Sequence, residues 1–225
     1  MGEATSDEGA VVHIEIDSAR LEGSLVIPAG ARGLVLFAHG SGSSRRSPRN
    51  RFVAGQLQKK GLGTLLFDLL TAEEDRIDRV TRELRFDIGL LGRRLVGATD
   101  WLLERPESEG RTIGYFGAST GAAAALVAAA ERPDVVDAVV SRGGRPDLAP
   151  DAIPRVAAPT LLIVGGRDLT VLQLNRQTLD RLTAEQKRLE VVPDATHLFE
   201  EPGALEKVAE LAGDWFAKHL APEEA

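Results

Sequence analysis

The sequence predicts an α/β fold: a mostly parallel central sheet with helices on both faces, in three layers. Short runs of wholly apolar residues, such as Leu34-Val35-Leu36-Phe37-Ala38, read as strands buried on both sides. Between such runs lie longer segments whose apolar residues recur every three to four positions, the period of an amphipathic helix. The chain opens with two strand-like runs in succession and then alternates strand with helix. An antiparallel start followed by repeated βα units makes such a sheet. With 225 residues and 43% apolar content the chain can bury one sizeable core. One domain is expected over residues 11–220, with an acidic lead-in at 1–10 and a short tail at 221–225.

The elements follow in order. Residues 11–16 alternate apolar and polar, as a half-exposed strand does. Residues 25–28 read as its hairpin partner, with the turn near Leu21-Glu22-Gly23. Residues 34–38 belong in the sheet centre. Pro48 suits the first turn of a helix with Ser47 as its N-cap, and Lys60-Gly61 suits its end. Residues 64–67 form the next central strand. A long helix is expected from about Thr81 through Leu84, Ile88, Leu91, Leu95 and Trp101-Leu102. Residues 111–116 read as a strand, the alanine-rich residues 122–130 as a helix, and residues 136–140 as a strand. A buried strand at 159–166, a helix near 172–182, a last strand at 189–192 and a helix at 204–220 complete the chain.

Composition narrows the function. The net charge of −7 lacks the basic signature of a nucleic-acid binder. No apolar run approaches the ~20 residues that span a bilayer, so no membrane partner is expected. The first eight residues are acidic and carry no basic or apolar signal-peptide region. The absence of cysteine excludes disulfides and thiolate sites and fits a cytoplasmic location. Four histidines without paired ligand spacing predict no metal site. Oligomeric state is left open by these features.

Gly117-Ala118-Ser119-Thr120-Gly121 is the most informative stretch. It matches G-x-S-x-G between an expected strand and an expected helix. A serine on so sharp a turn is forced outward, and glycines on either side let strand and helix pass close to it. The helix N-terminus offers unpaired N–H groups beside the hydroxyl, suited to a developing oxyanion. Asp168 follows the strand that ends at Gly165-Gly166, and His197 follows the last strand. The order Ser119, Asp168, His197 is that of a Ser-Asp-His catalytic set, and each lies beyond the C-terminal end of a strand, where open α/β sheets build their sites. In this reading Ser119 attacks, His197 moves its proton and Asp168 orients the imidazole. Asp68 and Asp194 compete for the last role. Asp68 reads better as a turn or pocket wall, and an N-cap role for Asp168 places it early for a helix at 172. His39 reads as structural, His13 as an ordinary strand residue, and His219 as a helix-end residue where the dipole favours a cation.

Four ordered motifs carry a family resemblance: His39-Gly40-Ser41-Gly42, Gly117 to Gly121, Gly165-Gly166-Arg167-Asp168, and Ala195-Thr196-His197-Leu198-Phe199. From about Val11 to Leu220 the chain resembles the α/β-hydrolase superfamily and, within it, the dienelactone-hydrolase-like branch. The resemblance implies an α/β-hydrolase fold and a cofactor-free hydrolase acting on a small ester, thioester or lactone. It also implies an oxyanion hole made by the main-chain N–H groups of Ser41 and Thr120. Dienelactone hydrolases proper carry cysteine where this chain has Ser119, which favours a serine-esterase mechanism over dienelactone itself. The same residues would serve an acyltransferase or perhydrolase, and the fold could serve as a non-catalytic binding pocket.

Two further features bear on the substrate. Arg45, Arg46 and Arg49 run into a helix N-terminus, and Arg142 and Arg145 follow another strand end. Either set could hold an acidic substrate, or form a solvated rim paired with Glu73, Glu74 and Asp75. Residues 141–159 are too few for a lid domain. The site is expected to be shallow and open, or covered only by the segments near 71–81 and 143–153.

Overall fold

The computed structural model describes residues 9–220; residues 1–8 of the expected lead-in and the expected tail lie outside the described residues. The first strand, β1 (Ala10–Ile16), begins inside the expected lead-in. It pairs with β2 (Ala19–Val26) through a turn at Asp17-Ser18, four residues before the expected position. Asp17 takes φ 54°, a left-handed conformation that aspartate tolerates in turns. Gly23, expected in the turn, instead lies flat in β2, where Val12 from the opposite strand fills the space above it.

The remaining strands are β3 (Gly33–Ala38), β4 (Gly63–Phe67), β5 (Thr112–Ala118), β6 (Val136–Arg142), β7 (Thr160–Gly165) and β8 (Lys187–Val192). They complete one eight-stranded sheet in the order β1-β2-β4-β3-β5-β6-β7-β8. β2 runs antiparallel to β4, and every pair from β4 to β8 is parallel. β3 has β4 on one side and β5 on the other. The chain direction across the sheet reverses there, which opens a crevice at the strand ends.

Local chemistry sets the helices. α1 (Pro48–Lys59) starts with Pro48 in its first turn and Ser47 as N-cap, whose hydroxyl accepts the Asn50 N–H. The long helix expected from Thr81 starts later, at Ile88, and a separate helix outside the sequence expectation precedes it. α2 (Ala72–Thr81) opens with a capping box in which Thr71 and Glu74 each accept the other's main-chain N–H. It closes at Arg82 with φ 62°, and a 3-10 turn at Leu84–Phe86 follows. α3 (Ile88–Leu103) then begins on Asp87, whose carboxylate accepts the Leu90 N–H. The Thr71-x-x-Glu74 and Asp87 signals are both present in the sequence; the apolar period from Thr81 to Leu102 runs through Asp87. α4 (Thr120–Glu131), α5 (Leu169–Arg181) and α6 (Ala204–His219) complete the set among the described residues.

Two cores sandwich the sheet. On one face Leu34, Leu36, Ile113 and Tyr115 pack against α3 and the buried alanines of α4. On the other Val35, Phe37, Phe116 and Val140 pack against α1 and α6. Between β6 and β7 there are only two 3-10 turns, at Pro146–Leu148 and Ile153–Arg155, so no lid domain is inserted between these strands. Among the described residues no helix is long and apolar enough to cross a membrane.

Candidate active site

The turn between β5 and α4 holds Ser119 at φ 51° and ψ −116°. A non-glycine residue in this region carries strain of about 1–3 kcal/mol, tolerated only where the surroundings impose it. Close packing imposes it here. A Cβ on Gly117 would lie 2.5 Å from Ala122 Cα, and one on Gly121 would lie 2.1 Å from the Ala38 carbonyl oxygen. Only glycine at both positions lets strand, turn and neighbouring strand meet at that distance. The His39-Gly40-Ser41 loop lies against the same turn: a Cβ on Gly40 would stand 3.2 Å from Ser119 Cβ.

His197 and Asp168 reach the serine from the far side of β5. His197 Nδ1 lies 2.6 Å from Asp168 Oδ2, and Nε2 lies 3.3 Å from Ser119 Oγ. The carboxylate is largely buried and the imidazole partly open, with side-chain exposures of 15% and 38%. α5 begins earlier than expected, so Asp168 does occupy its N-cap position. Its side chain makes no capping bond and faces the imidazole instead. The rival carboxylates are committed elsewhere. Asp68 accepts the main-chain N–H of Arg45 at 2.7 Å. Asp194, at φ 59°, is exposed and pairs with Arg167 at 3.3 Å.

His39 has a different environment. Leu69 N–H donates to its Nε2 at 3.0 Å, which leaves the proton on Nδ1, 3.0 Å from the Gly40 carbonyl oxygen. Burial holds its pKa below the usual histidine value. His219 departs from the sequence expectation: its ring lies tilted against Trp215, with centroids 4.5 Å apart, and burial followed by the Lys218 charge push its pKa down.

The arginines do not act as one cluster, and none pairs with Glu73, Glu74 or Asp75. Those acids bind Arg76, Arg94 and Arg79. Arg45 sits between Glu22 and Asp68. Arg49 pairs with Glu200 at 3.1 Å, and Arg145 holds Asp147 through two nitrogens at 2.8 and 2.7 Å. Arg46 is exposed and forms no ion pair among the described residues. Arg142 is 7% exposed, and its guanidinium lies 5.7 Å from the centre of the Phe199 ring. Its Nε has no hydrogen-bond partner, and burial, then the charge of Arg49, lower its pKa to about 10.

A cavity of about 350 Å³ opens beside Ser41 and Thr120. Its walls come from the segments after β3 and β4 and from α2, including Asp68, Thr71 and Arg85. Of the two segments expected to cover the site, that at 71–81 forms α2 and walls this cavity. Arg85 is held in that wall by Asp78, which accepts its Nε–H at 2.6 Å. Burial works to raise the Asp78 pKa, but the hydrogen bonds and charge of Arg85 outweigh it and leave the pKa lowered. Sequence reading missed Arg85, because its link to the site runs through Asp78 on α2, a helix outside the sequence expectation.

Residues 22–220 match the model of the dienelactone hydrolase family. A dienelactone hydrolase from Anabaena variabilis is 63% identical and superposes with a TM-score of 0.92, covering 94% of this chain and 98% of that one. An esterase from Pyrococcus furiosus, 18% identical with a TM-score of 0.77 over 94% of this chain and 91% of its own, shares the fold. A protein of Mycobacterium tuberculosis provisionally named a phosphoribosyl transferase is 59% identical over 198 residues. That match covers 88% of this chain and 44% of the relative, so the chain spans less than half the length of the curated relatives it matches. With its fold and the matched span in agreement, the chain belongs to the dienelactone hydrolase family.

Proposed function

We propose that this chain is a serine hydrolase that cleaves a small ester, thioester or lactone through an acyl-enzyme. Ser119 attacks the carbonyl, His197 takes its proton and returns it to the leaving group, and Asp168 orients the imidazole and stabilises its cation. The main-chain N–H groups of Ser41 and Thr120 receive the negative charge that forms on the carbonyl oxygen. The observation that carries this reading is the line from Asp168 through both nitrogens of His197 to the hydroxyl of Ser119. A fluorophosphonate should label Ser119 once per chain. Ser119→Ala should lose label and about 10⁴–10⁶ in kcat on p-nitrophenyl esters. Near-normal turnover by that variant ends the proposal.

The cavity beside Ser41 is small, about 350 Å³, which favours short acyl groups; each buried CH₂ adds at most about 0.8 kcal/mol and only where an apolar wall exists. The ion pairs of Arg45, Arg49 and Arg145 leave Arg46 and Arg142 as the candidates for an anionic substrate group. Arg46→Ala and Arg142→Met should raise KM for an anionic ester and spare a neutral one, Arg46 by at most about 1 kcal/mol at its exposed position. Equal treatment of both esters by both variants assigns these arginines to structure alone.

The name of the mycobacterial relative supports a second reading for that longer protein. Pyrophosphate release from a phosphoribosyl donor, unchanged in Ser119→Ala, would favour group transfer for this chain as well.

A further inference from the structure

The loop after β6 touches both the serine and the histidine. Ser119 donates its main-chain N–H to the Arg142 carbonyl at 3.1 Å, and its own carbonyl accepts the Arg145 N–H at 3.1 Å. These two bonds bracket the strained residue on either side. Between them Gly143, at φ 53°, donates to the Ile163 carbonyl at 2.8 Å. A Cβ on Gly143 would stand 3.5 Å from both Nδ1 and Cε1 of His197. Gly144 has no room for a side chain, since a Cβ there would lie 2.0 Å from Ser141 Oγ. One short piece of backbone thus borders the main chain of one residue and the ring of the other.

Asn175 fastens that piece. It is fully buried on α5, the helix that starts beside Asp168. Its Nδ2 donates to the Gly144 carbonyl at 3.0 Å and to the Val171 carbonyl, one turn back, at 2.8 Å. A carboxamide supplies two donors on one nitrogen; leucine supplies none, and an aspartic acid at most one. The Asn175 Oδ1 has no hydrogen-bond partner. A buried, unpartnered carbonyl oxygen works against stability, so stability alone is a poor account of this residue.

On the reading of Ser119 and His197 given above, we propose that Asn175 is a positioning residue. It holds the loop at 142–145, and through it the elbow and the imidazole, in the reactive arrangement. Asn175 touches no reacting atom. Without its anchor the Gly144 carbonyl is free to move, the bonds to Ser119 shift with it, and the serine can relax out of its left-handed conformation. Oγ then leaves the line to Nε2.

The test is Asn175→Leu, similar in size and without donors, with Asn175→Asp as the variant to use if leucine prevents folding. Three quantities are measured well below the melting temperature: kcat and KM on p-nitrophenyl acetate, and the rate of fluorophosphonate labelling. The expected result is a fall of about 10- to 100-fold in kcat and in labelling rate, the size of effect a misplacement near 1 Å can produce. KM should stay within about twofold, because the cavity beside Ser41 is untouched. A variant that melts earlier but keeps wild-type kcat and labelling rate overturns the proposal. Ser119→Ala is run alongside. If it is inactive while the Asn175 variant is normal, the positioning role alone fails; if it remains active, the serine-hydrolase reading fails and the positioning role with it.

Discussion

His39 follows the buried strand β3 and His197 the edge strand β8, and both have a partner at each ring nitrogen, yet those partners differ in kind. The partners of His39 are main-chain groups, the Leu69 N–H and the Gly40 carbonyl. Both fix one tautomer, and burial penalises the charged ring. The partners of His197 are a carboxylate and a hydroxyl, and its side chain is 38% exposed. A ring between a carboxylate and a hydroxyl can accept a proton on one nitrogen while the other stays bonded to a negative charge. A ring between two peptide groups gains nothing from a second proton, because the Leu69 N–H would then meet another donor. The chemistry of the partners separates the two roles more clearly than proximity to the strand ends.

The largest expected effect tests that contrast directly. His197→Ala should lower kcat by about 10⁴–10⁶, with little change in melting temperature. His39→Leu should do the reverse. It orphans the buried Leu69 N–H, at a cost of about 1–3 kcal/mol, while the folded protein keeps kcat to within about tenfold. Thermal denaturation and steady-state kinetics on the same samples read both. Equal loss of kcat in the two variants would break the distinction.

The acid partner sharpens it next. Asp168→Asn should leave the fold intact and cost about 10⁴ in kcat, because the amide favours the wrong imidazole tautomer. Asp194→Asn, which removes an exposed ion pair, should cost less than about 1 kcal/mol in stability and change kcat little. If Asp194→Asn is the inactive variant, the acid has been wrongly assigned.

The smallest effect concerns acid stability. The folded-state pKa of His39 lies below its unfolded value, so the unfolded chain binds the extra proton first. The contribution of neutral His39 is present above the unfolded value of about 6.5 and is lost as pH falls below it toward the folded pKa. Urea unfolding at stepped pH should show wild-type stability declining in that window, and His39→Leu should decline less steeply there. A parallel decline in both would show that His39 contributes no pH dependence.

The elbow was legible in the sequence because its causes are local. Two glycines, a serine and an alanine-rich helix specify the turn within five residues. The order of serine, acid and histidine was legible for a related reason: apolar runs mark strand ends, and the parallel topology gathers those ends on one edge. Signals confined to one turn were also present but masked. Thr71 with Glu74 opens α2 and Asp87 opens α3, yet the apolar period expected from Thr81 continues through Asp87.

What the tertiary structure decided was the choice among partners far apart in sequence. Asp168 occupies an N-cap position by local rules, and its carboxylate turns to His197 only because β7 and β8 lie side by side. Arg45 pairs with Glu22 and Asp68, and Arg49 with Glu200, across 23 and 151 residues. Glu73, Glu74 and Asp75, the partners the sequence offered for that stretch, bind other arginines. Asn175 reads as an ordinary helical residue until α5 packs it beneath Gly144, 31 residues earlier in the chain. Backbone strain and hydrophobic period follow from neighbours along the chain and can be read there. Which donor meets which acceptor depends on distances of about 3 Å, and those are set only when the layers pack.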